Sequence, residues 1–200
     1  MNLSSLRQGF HRTASIEDRV KAVQEVLDAR GLNASEEVQD LDHLAQQEWV
    51  PRNGARVVAR AWTDQAFRDR LLTDGRSAVG ELGIPMPKHH RHLVVLENTL
   101  AIHNVICCSL CSCTAFTVMG LPPDWYKDLE YRARVVRESR TVLREMGLDL
   151  PPEVEIRVWD TTADTRYMVL PLQPAESVGW PEERLVSIVT RDSMIGVARL

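Results

Sequence analysis

The chain has 200 residues, of which 44% are hydrophobic and 26% charged, the balance of an ordinary globular protein. This composition excludes a wholly disordered chain, a collagen-like repeat and a disulfide-stapled miniprotein. With 24 Lys and Arg against 28 Asp and Glu, the net charge is −4, so no nucleic-acid or membrane partner is expected. The apolar runs are only a few residues long and the N-terminus lacks a signal-peptide core, so we expect a cytoplasmic protein.

Helical patterns dominate the first part of the chain. Residues 1–17 are polar and predict a flexible N-terminal segment, and apolar residues then recur at helical spacing through residues 18–85. Helices are predicted over residues 16–31, 34–49, 55–61, 64–72 and 77–82, with a turn at 51–54. The first two carry narrow apolar stripes, a pattern typical of helices that pack either on a partner subunit or on their own core.

The hydrophobic period changes after the Gly-Ile-Pro-Met-Pro stretch that ends at Pro87. Beyond it, short β-branched runs predict strands, and amphipathic charged stretches predict helices. Strands are predicted over residues 92–97, 103–107, 154–159 and 166–170, and helices over 125–146 and 181–189. The predicted fold class is therefore α+β, with a helical arm at 18–85 and a layered α/β core at 86–200 that together form one functional domain.

All four cysteines lie within seven positions, at Cys107, Cys108, Cys111 and Cys113. A disulfide framework would spread its cysteines along the chain, so this spacing points to metal binding or thiol chemistry. In Cys108-Ser-Leu-Cys-Ser-Cys113, a CxxC turn presents two thiolates to one ion and the third cysteine folds the chain around it. Three sulfurs with deprotonated backbone amides form an anionic donor set, which suits a trivalent low-spin ion better than Mg²⁺ or Ca²⁺.

Three other interpretations of the cysteine cluster stay open. Free cysteines pack as small hydrophobes, so the run is compatible with burial alone. A redox CxxC pair would need a thioredoxin-like β-α-β pattern, which the flanking sequence lacks. A closed zinc site would need a fourth ligand, and histidines lie nearby. The candidates are His89, His90, His92 and His103.

The sequence around the cysteines is similar to the α subunit of nitrile hydratase. The similarity is carried by Cys108-Ser-Leu-Cys-Ser-Cys113, followed by Gly120-Leu-Pro-Pro-Asp-Trp-Tyr-Lys127, and it runs in order through residues 18–197. Further similar stretches are residues 51–62, 131–137, 155–160, 166–171 and 190–196.

This resemblance implies a metal centre and a reaction. One low-spin Fe(III), or alternatively Co(III), would be held by the sulfurs of Cys108, Cys111 and Cys113 and by the backbone amide nitrogens of Ser112 and Cys113. Cys111 would be oxidised to a sulfinic acid and Cys113 to a sulfenic acid. A small nitrile would be hydrated to its amide at an open metal position, by attack of either water or the Cys113 sulfenate oxygen.

The resemblance also implies roles for residues around the metal. Catalytic roles are expected for Cys113, Ser112 and Arg166, the last of which matches a family arginine near the active site. The expected substrate-pocket residues are Phe116, Thr114 and His89. Asp160 and Tyr167 lie in similar stretches and are interpreted as structural.

Three places depart from the family pattern. Phe116-Thr117 stands where Trp-Pro is usual, which leaves a smaller aromatic surface for the pocket. Cys107 stands where valine is usual, and we interpret it as a strand-packing residue. Lys88-His-His-Arg-His92 occupies the region near position 89 where the family usually has a Gln or a Glu. This stretch is either a solvated loop or a source of imidazole groups. Such imidazoles would form hydrogen bonds near the metal or assist its loading.

Metal type and partners also follow from the resemblance. Ser109 and Thr114 match the iron-type pattern, so iron is favoured over cobalt. A separate β subunit is expected, in an αβ or α₂β₂ assembly. This subunit would supply arginines that bind the oxygens of the oxidised cysteines. The family usually also needs an activator protein that loads the metal. The alternatives are a cobalt-type nitrile hydratase, the metal-bearing subunit of thiocyanate hydrolase, a non-catalytic zinc- or metal-binding subunit, and a redox-sensing thiol protein.

Overall fold

The computed structural model describes residues 14–200, so most of the predicted flexible segment at 1–17 lies outside the described residues. The described chain groups into two compact units, one up to Leu44 and the other Ala45–Leu200. Within residues 14–200, no helix has the length and apolar character needed to cross a membrane. The division of the chain at residue 85 stays a prediction.

The first unit is built on two helices whose apolar residues are not buried. Helix α1 spans Ile16–Asp28 and helix α2 spans Ala34–Gln47, and neither contains a buried residue. Ser15 caps α1, because its side chain accepts a hydrogen bond from the backbone N–H of Asp18. Ile16, Val20 and other apolar side chains of α1 line a shallow groove along the helix. Both helices agree with the periodicity of the sequence.

Three helices open the second unit. They are α3 at Pro51–Thr63, α4 at Gln65–Thr73 and α5 at Gly75–Glu81. The predicted turn at 51–54 is wrong, because these residues form the first turn of α3. Pro51 is favourable there, since the first helical N–H has no partner within the helix and proline lacks that N–H. Asp64 and Asp74 cap α4 and α5.

Four parallel-paired strands form the centre of this unit. They are β1 at His92–Glu97, β2 at Ile102–Cys107, β3 at Glu155–Asp160 and β4 at Thr165–Leu170. Strand β1 pairs in parallel with β4, and β2 pairs in parallel with β3. Each predicted strand is confirmed to within one residue. At the carboxyl end of the second pair, Cys107 lies opposite Asp160.

The remaining helices are mostly short. They are α6 at Phe116–Met119, α7 at Asp124–Lys127, α8 at Leu129–Glu145, a 3₁₀ turn at Ala175–Ser177, α9 at Glu182–Ile188 and α10 at Arg191–Ile195. The single helix predicted over 125–146 is wrong in one respect, because Asp128 is extended and caps a new helix by accepting from the N–H groups of Glu130 and Tyr131. Helix α8 is also kinked at Glu138. Helices α6 and α10 were not predicted, since four or five residues show too little of a 3.6-residue period.

Two hydrophobic clusters make up the core of the second unit, and the fold class is α+β as predicted. The first cluster joins α3, α4 and α5 to β1 and β4, and the second joins β2 to α8. Cys108 packs in the second cluster and Ala115 in the first, so the cysteine loop passes from one cluster to the other. Gly196 closes α10 at a φ of 92°, where an added Cβ would collide with the carbonyl oxygen of Asn104 on β2.

Candidate metal centre

Three cysteine sulfurs gather where β2 ends. The Sγ atoms of Cys108, Cys111 and Cys113 all lie within 4.8 Å of one another. The Cys108–Cys111 sulfur distance is 3.2 Å and the Cys111–Cys113 distance is 2.9 Å. Cys108 is buried, Cys113 is half-buried and Cys111 is exposed. Across residues 14–200, this is the one cluster of three or more His, Cys, Asp or Glu side chains with metal-ligand spacing.

No histidine joins the three sulfurs among the described residues. His103, a candidate fourth zinc ligand, is buried, and both of its ring nitrogens have partners. Its Nε2 lies 2.8 Å from the carbonyl oxygen of Gly196, and its Nδ1 lies 3.3 Å from Nδ2 of Asn98. Within residues 14–200, the side-chain ligands at this site are therefore the three sulfurs alone. A site made of three cysteines and backbone nitrogens requires this arrangement.

The thiols of the cluster differ in acidity. Burial alone would raise the pKa of Cys108, but hydrogen bonds from Thr161 and from the backbone N–H groups of Cys113 and Cys111 lower this pKa to about 7. Burial and the adjacent Cys111 sulfur raise the pKa of Cys113 to about 11. Burial raises the pKa of Cys107 to about 12, so this thiol stays neutral and packs in the second cluster. Cys107 thus behaves as the strand-packing residue that the sequence suggested.

Asp160 anchors the start of the loop. Its carboxylate accepts a hydrogen bond from the backbone N–H of Ser109 at 2.9 Å and a second from the Ser109 hydroxyl. Asp160 is the last residue of β3 and lies opposite Cys107 in the parallel pair, so strand pairing places the carboxylate beside the loop. The serine expected to mark the metal type is therefore also part of the support of the loop.

Side chains from three other positions hold the carbonyl oxygens of the loop. The carbonyl oxygen of Cys113 accepts from the Tyr126 hydroxyl at 3.3 Å and from the Thr161 hydroxyl at 3.4 Å. The carbonyl oxygen of Cys111 accepts from Nη1 of Arg132 at 2.5 Å. The backbone N–H of Cys111 instead donates to the Cys108 sulfur at 3.3 Å. The carbonyl groups are thus held from outside the loop, and the sulfurs face one another.

Arg166 is a buried arginine rather than a surface one. It is 4% exposed, and its Nη1 donates to the carbonyl oxygens of Thr162 at 2.6 Å and Thr165 at 3.1 Å. Its Nε is buried and has no acceptor among the described residues. Its positive charge opposes part of the rise in the pKa of Cys113, and it adds to the lowering that burial causes in the pKa of His90.

An aromatic cluster lies after the loop. Phe116 packs edge-on against Trp49 at 4.6 Å and against His90 at 5.1 Å between ring centroids, and His90 contacts His89 at 4.4 Å. His90 is 1% exposed, and burial, helped by the charge of Arg166, lowers its pKa to about 4. His90 is therefore neutral at pH 7. Its buried Nδ1 has no partner within residues 14–200.

The predicted site residues divide into groups in the structure. Cys108, Cys111, Ser112 and Cys113 share one loop. Phe116 and His89 are linked through His90, whereas Thr114 is buried and its hydroxyl lies 3.5 Å from the carbonyl oxygen of Gly120.

Sequence reasoning missed several residues that contact the loop or the aromatic cluster. These are Trp49, Tyr126, Arg132 and Thr161. Sequence signals existed for three of them: Tyr126 and Arg132 lie in stretches similar to the family, and Thr161 directly follows the strand that pairs with β2.

Comparisons with known proteins give one consistent result. Residues 14–198 match the family model described as "Nitrile hydratase, alpha chain". The low-molecular-weight cobalt-containing nitrile hydratase subunit alpha of Rhodococcus rhodochrous is 47% identical over 90% of this chain and 86% of its own. The thiocyanate hydrolase subunit gamma of Thiobacillus thioparus is 38% identical over 88% of this chain and 76% of its own.

Among solved structures, the chain is similar to an Fe-type nitrile hydratase from Comamonas testosteroni Ni1, in a variant with two consecutive histidines replaced by alanine. The TM-score is 0.88 and the identity is 54%, over 95% of this chain and 92% of that one.

Proposed function

The chain belongs to the nitrile hydratase alpha-chain family, whose enzymes hydrate nitriles to amides, and we propose that it is the metal-bearing subunit of an iron-type enzyme. The single observation that carries this proposal is the set of three cysteine sulfurs within 4.8 Å of one another. A non-catalytic zinc subunit is less well supported, because no fourth side-chain ligand accompanies the sulfurs in residues 14–200.

The donor chemistry of the loop fits a trivalent transition ion. Cys108, Cys111 and Cys113 would supply three thiolates, and the backbone nitrogens of Ser112 and Cys113 would complete an anionic set. The three sulfurs lie within 4.8 Å of one another, and the nitrogens of Ser112 and Cys113 belong to the same short loop, so one ion would take both kinds of ligand from it.

Iron is favoured by two observations. Ser109 and Thr114 match the iron-type pattern, and the chain is 54% identical to the Fe-type enzyme of Comamonas testosteroni Ni1. Cobalt is the second candidate, because the 47% identical relative is named as cobalt-containing. Elemental analysis of the purified αβ complex decides between them, and about one iron per alpha chain is expected.

Exposure supports oxidation of two of the three cysteines. Cys111 is exposed and Cys113 half-buried, whereas Cys108 is buried, and accessible thiolates are the ones that oxygen reaches. We propose a sulfinic acid at Cys111 and a sulfenic acid at Cys113. Mass spectrometry of the peptide that contains the loop should then show two added oxygens on Cys111 and one on Cys113, and none on Cys108.

The reaction adds one water molecule to the nitrile. The oxygen of the water becomes bonded to the nitrile carbon, and its two hydrogens end on the nitrogen of the amide. The bound metal would supply a Lewis acid that polarises the nitrile or activates the water. The half-buried ring of Phe116, packed against Trp49, would offer an apolar surface for the substrate's hydrocarbon part. The charge of Arg166 beside Cys113 would favour the anionic form of that sulfur or of its oxygen.

A beta subunit is the proposed partner. Ile16, Val20 and Val23 on α1, with Val38 and Leu41 on α2, are each at least 50% exposed, which is unfavourable unless another surface covers them. We propose that the beta subunit covers this stripe and supplies part of the active site, and that an activator protein loads the metal. The free cysteines suit a reducing compartment, so a cytoplasmic location is proposed.

The proposal is tested on the alpha chain co-purified with its beta subunit, by measuring metal content and hydration of a small nitrile. Alanine at Cys108, Cys111 or Cys113 should each remove the metal and reduce turnover to background. The matched control is Cys107→Val, which replaces a packing thiol one position before the loop. This variant should keep both the metal content and the turnover of the parent complex. Full metal content and turnover in all three alanine variants would contradict the proposal. Turnover of thiocyanate but not of nitriles would favour the thiocyanate hydrolase alternative.

A further inference from the structure

Arg132 connects helix α8 to the middle of the cysteine loop. It lies one turn into the helix, half-buried, and its Nη1 donates to the carbonyl oxygen of Cys111 at 2.5 Å. Cys111 is the most exposed of the three clustered cysteines, and its side chain contacts the other two sulfurs. The guanidinium therefore fixes the part of the loop that the buried core supports least.

The charge of Arg132 has no carboxylate beside it. Within the described residues, no Asp or Glu oxygen lies within ion-pair distance of this guanidinium, and its buried Nε has no acceptor. Arg134, two positions along the same helix, shows the opposite arrangement. Its guanidinium contacts three carboxylates, those of Glu130, Glu138 and Glu145. Arg132 thus keeps a full positive charge directed at the loop.

The carbonyl that Arg132 contacts belongs to the peptide unit whose nitrogen is that of Ser112. Resonance couples the oxygen and the nitrogen of a peptide, so charge that develops at the nitrogen also appears at the oxygen. A donor set of three thiolates and two deprotonated amides carries more negative charge than a trivalent ion neutralises. A guanidinium at that oxygen opposes this surplus through a charge-assisted hydrogen bond, which is stronger than one between neutral groups.

We propose that Arg132 is a positioning residue for the metal centre, which orients the Cys111–Ser112 peptide and stabilises its charge when Ser112 acts as a backbone ligand. The inference rests on the proposed function, because it needs a metal in the loop. Arg132 contacts neither the aromatic cluster nor any sulfur among the contacts of the described residues, so its effect passes through the peptide. Removing it should weaken retention of the metal and change the electronic spectrum of the centre.

The test uses the αβ complex carrying Arg132→Met, which keeps the unbranched stem and removes the charge. Metal release to an excess of chelator should be about tenfold faster than in the unmodified complex, which is the usual scale for losing a residue that supports a ligand. The visible charge-transfer band should also shift. Arg132→Lys, which keeps a charge without the planar donor group, should recover part of the retention.

The matched control is Arg137→Met on the same helix, whose guanidinium donates to the carbonyl oxygen of Ala133 in its own helix. This variant should release metal at the unmodified rate. If Arg132→Met retains metal and absorption band unchanged, the inference is wrong while the proposed function stands. If Arg132→Met does not fold, Arg132→Gln serves as the charge-removing variant, and an unchanged release rate and band in Arg132→Gln overturn the inference. A parent complex that binds no metal would instead remove the proposed function itself.

Discussion

The two ends of strand β2 carry polar groups that are held in opposite ways. At the amino end, buried Asn98, His103 and Asn104 contact one another, and their polar atoms have partners. The amide of Asn104 also donates to the carbonyl oxygen of Glu97 and accepts from the indole N–H of Trp159. In this amino-end network each side-chain nitrogen and oxygen has a hydrogen-bond partner.

At the carboxyl end, the three sulfurs of the cysteine loop lie close to one another, and the Cys108 sulfur also accepts from the backbone N–H of Cys111. The hydrogen bonds that fix the loop go to its backbone and to Ser109, through Asp160, Tyr126, Thr161 and Arg132. Beside the loop, His90 and Arg166 each keep a buried nitrogen without a partner in residues 14–200. A buried polar group therefore does not by itself mark a functional site: the groups at the amino end are paired, whereas those of His90 and Arg166 beside the cysteine loop are not.

Among the residues that support the loop, we expect the greatest loss when its carboxylate anchor is removed. Asp160→Ala deprives the backbone N–H and the hydroxyl of Ser109 of their acceptor. We expect metal affinity and nitrile turnover to fall about ten- to a hundredfold. Metal titration and turnover of the αβ complex measure this loss. The control Asp149→Ala, at an exposed carboxylate, should match the parent, and equal values for both variants would show that the loop does not need its anchor.

The next effect is a pH dependence that comes from His90. Its pKa is about 4 in the folded chain, against 6.5 for a solvent-exposed histidine. Between these two pH values the imidazole is therefore protonated in the unfolded chain and neutral in the folded chain. This contribution to stability is complete above pH 6.5 and is lost as the pH falls toward 4, by about 3 kcal/mol in total.

Urea unfolding at several pH values measures this dependence. His90→Phe should flatten the fall in the free energy of unfolding, whereas His43→Gln, at an exposed histidine on α2, should leave it as in the parent. An equally steep fall in the His90→Phe protein would show that His90 is not the group responsible.

The smallest effect is expected at the amino end of β2, and it sharpens the contrast with the loop. Asn98→Ala leaves Nδ1 of His103 and the backbone N–H of Asn104 without partners. We expect a loss of about 2 kcal/mol in the free energy of unfolding, the usual scale for buried groups left unpaired. Metal content and the visible spectrum should stay unchanged. A change in either would mean that the two ends of β2 are coupled through the strand.

Local patterns were sufficient for the four strands and for most of the longer helices, and they singled out the three cysteines whose sulfurs lie together. The strands could be predicted because a β-branched run bounded by turn residues is a local signal, and β4 at Thr165–Leu170 is an example. The predictions were wrong where a single residue determined whether a helix begins or is interrupted. Pro51 begins a helix instead of a turn, and Asp128 interrupts the helix predicted over 125–146.

The family, the α+β class and the three-cysteine spacing can be recognised in the sequence, the class and the spacing from local residue patterns and the family from matching stretches through residues 18–197. The tertiary structure shows which side chains support the loop. Asp160 and Thr161 reach it through strand pairing, and Arg132 reaches it from a helix 21 residues away along the chain. It also decided that His90 and Arg166 are buried with unused nitrogens. Such contacts depend on how distant elements pack, and that packing is set by the whole core rather than by any local pattern.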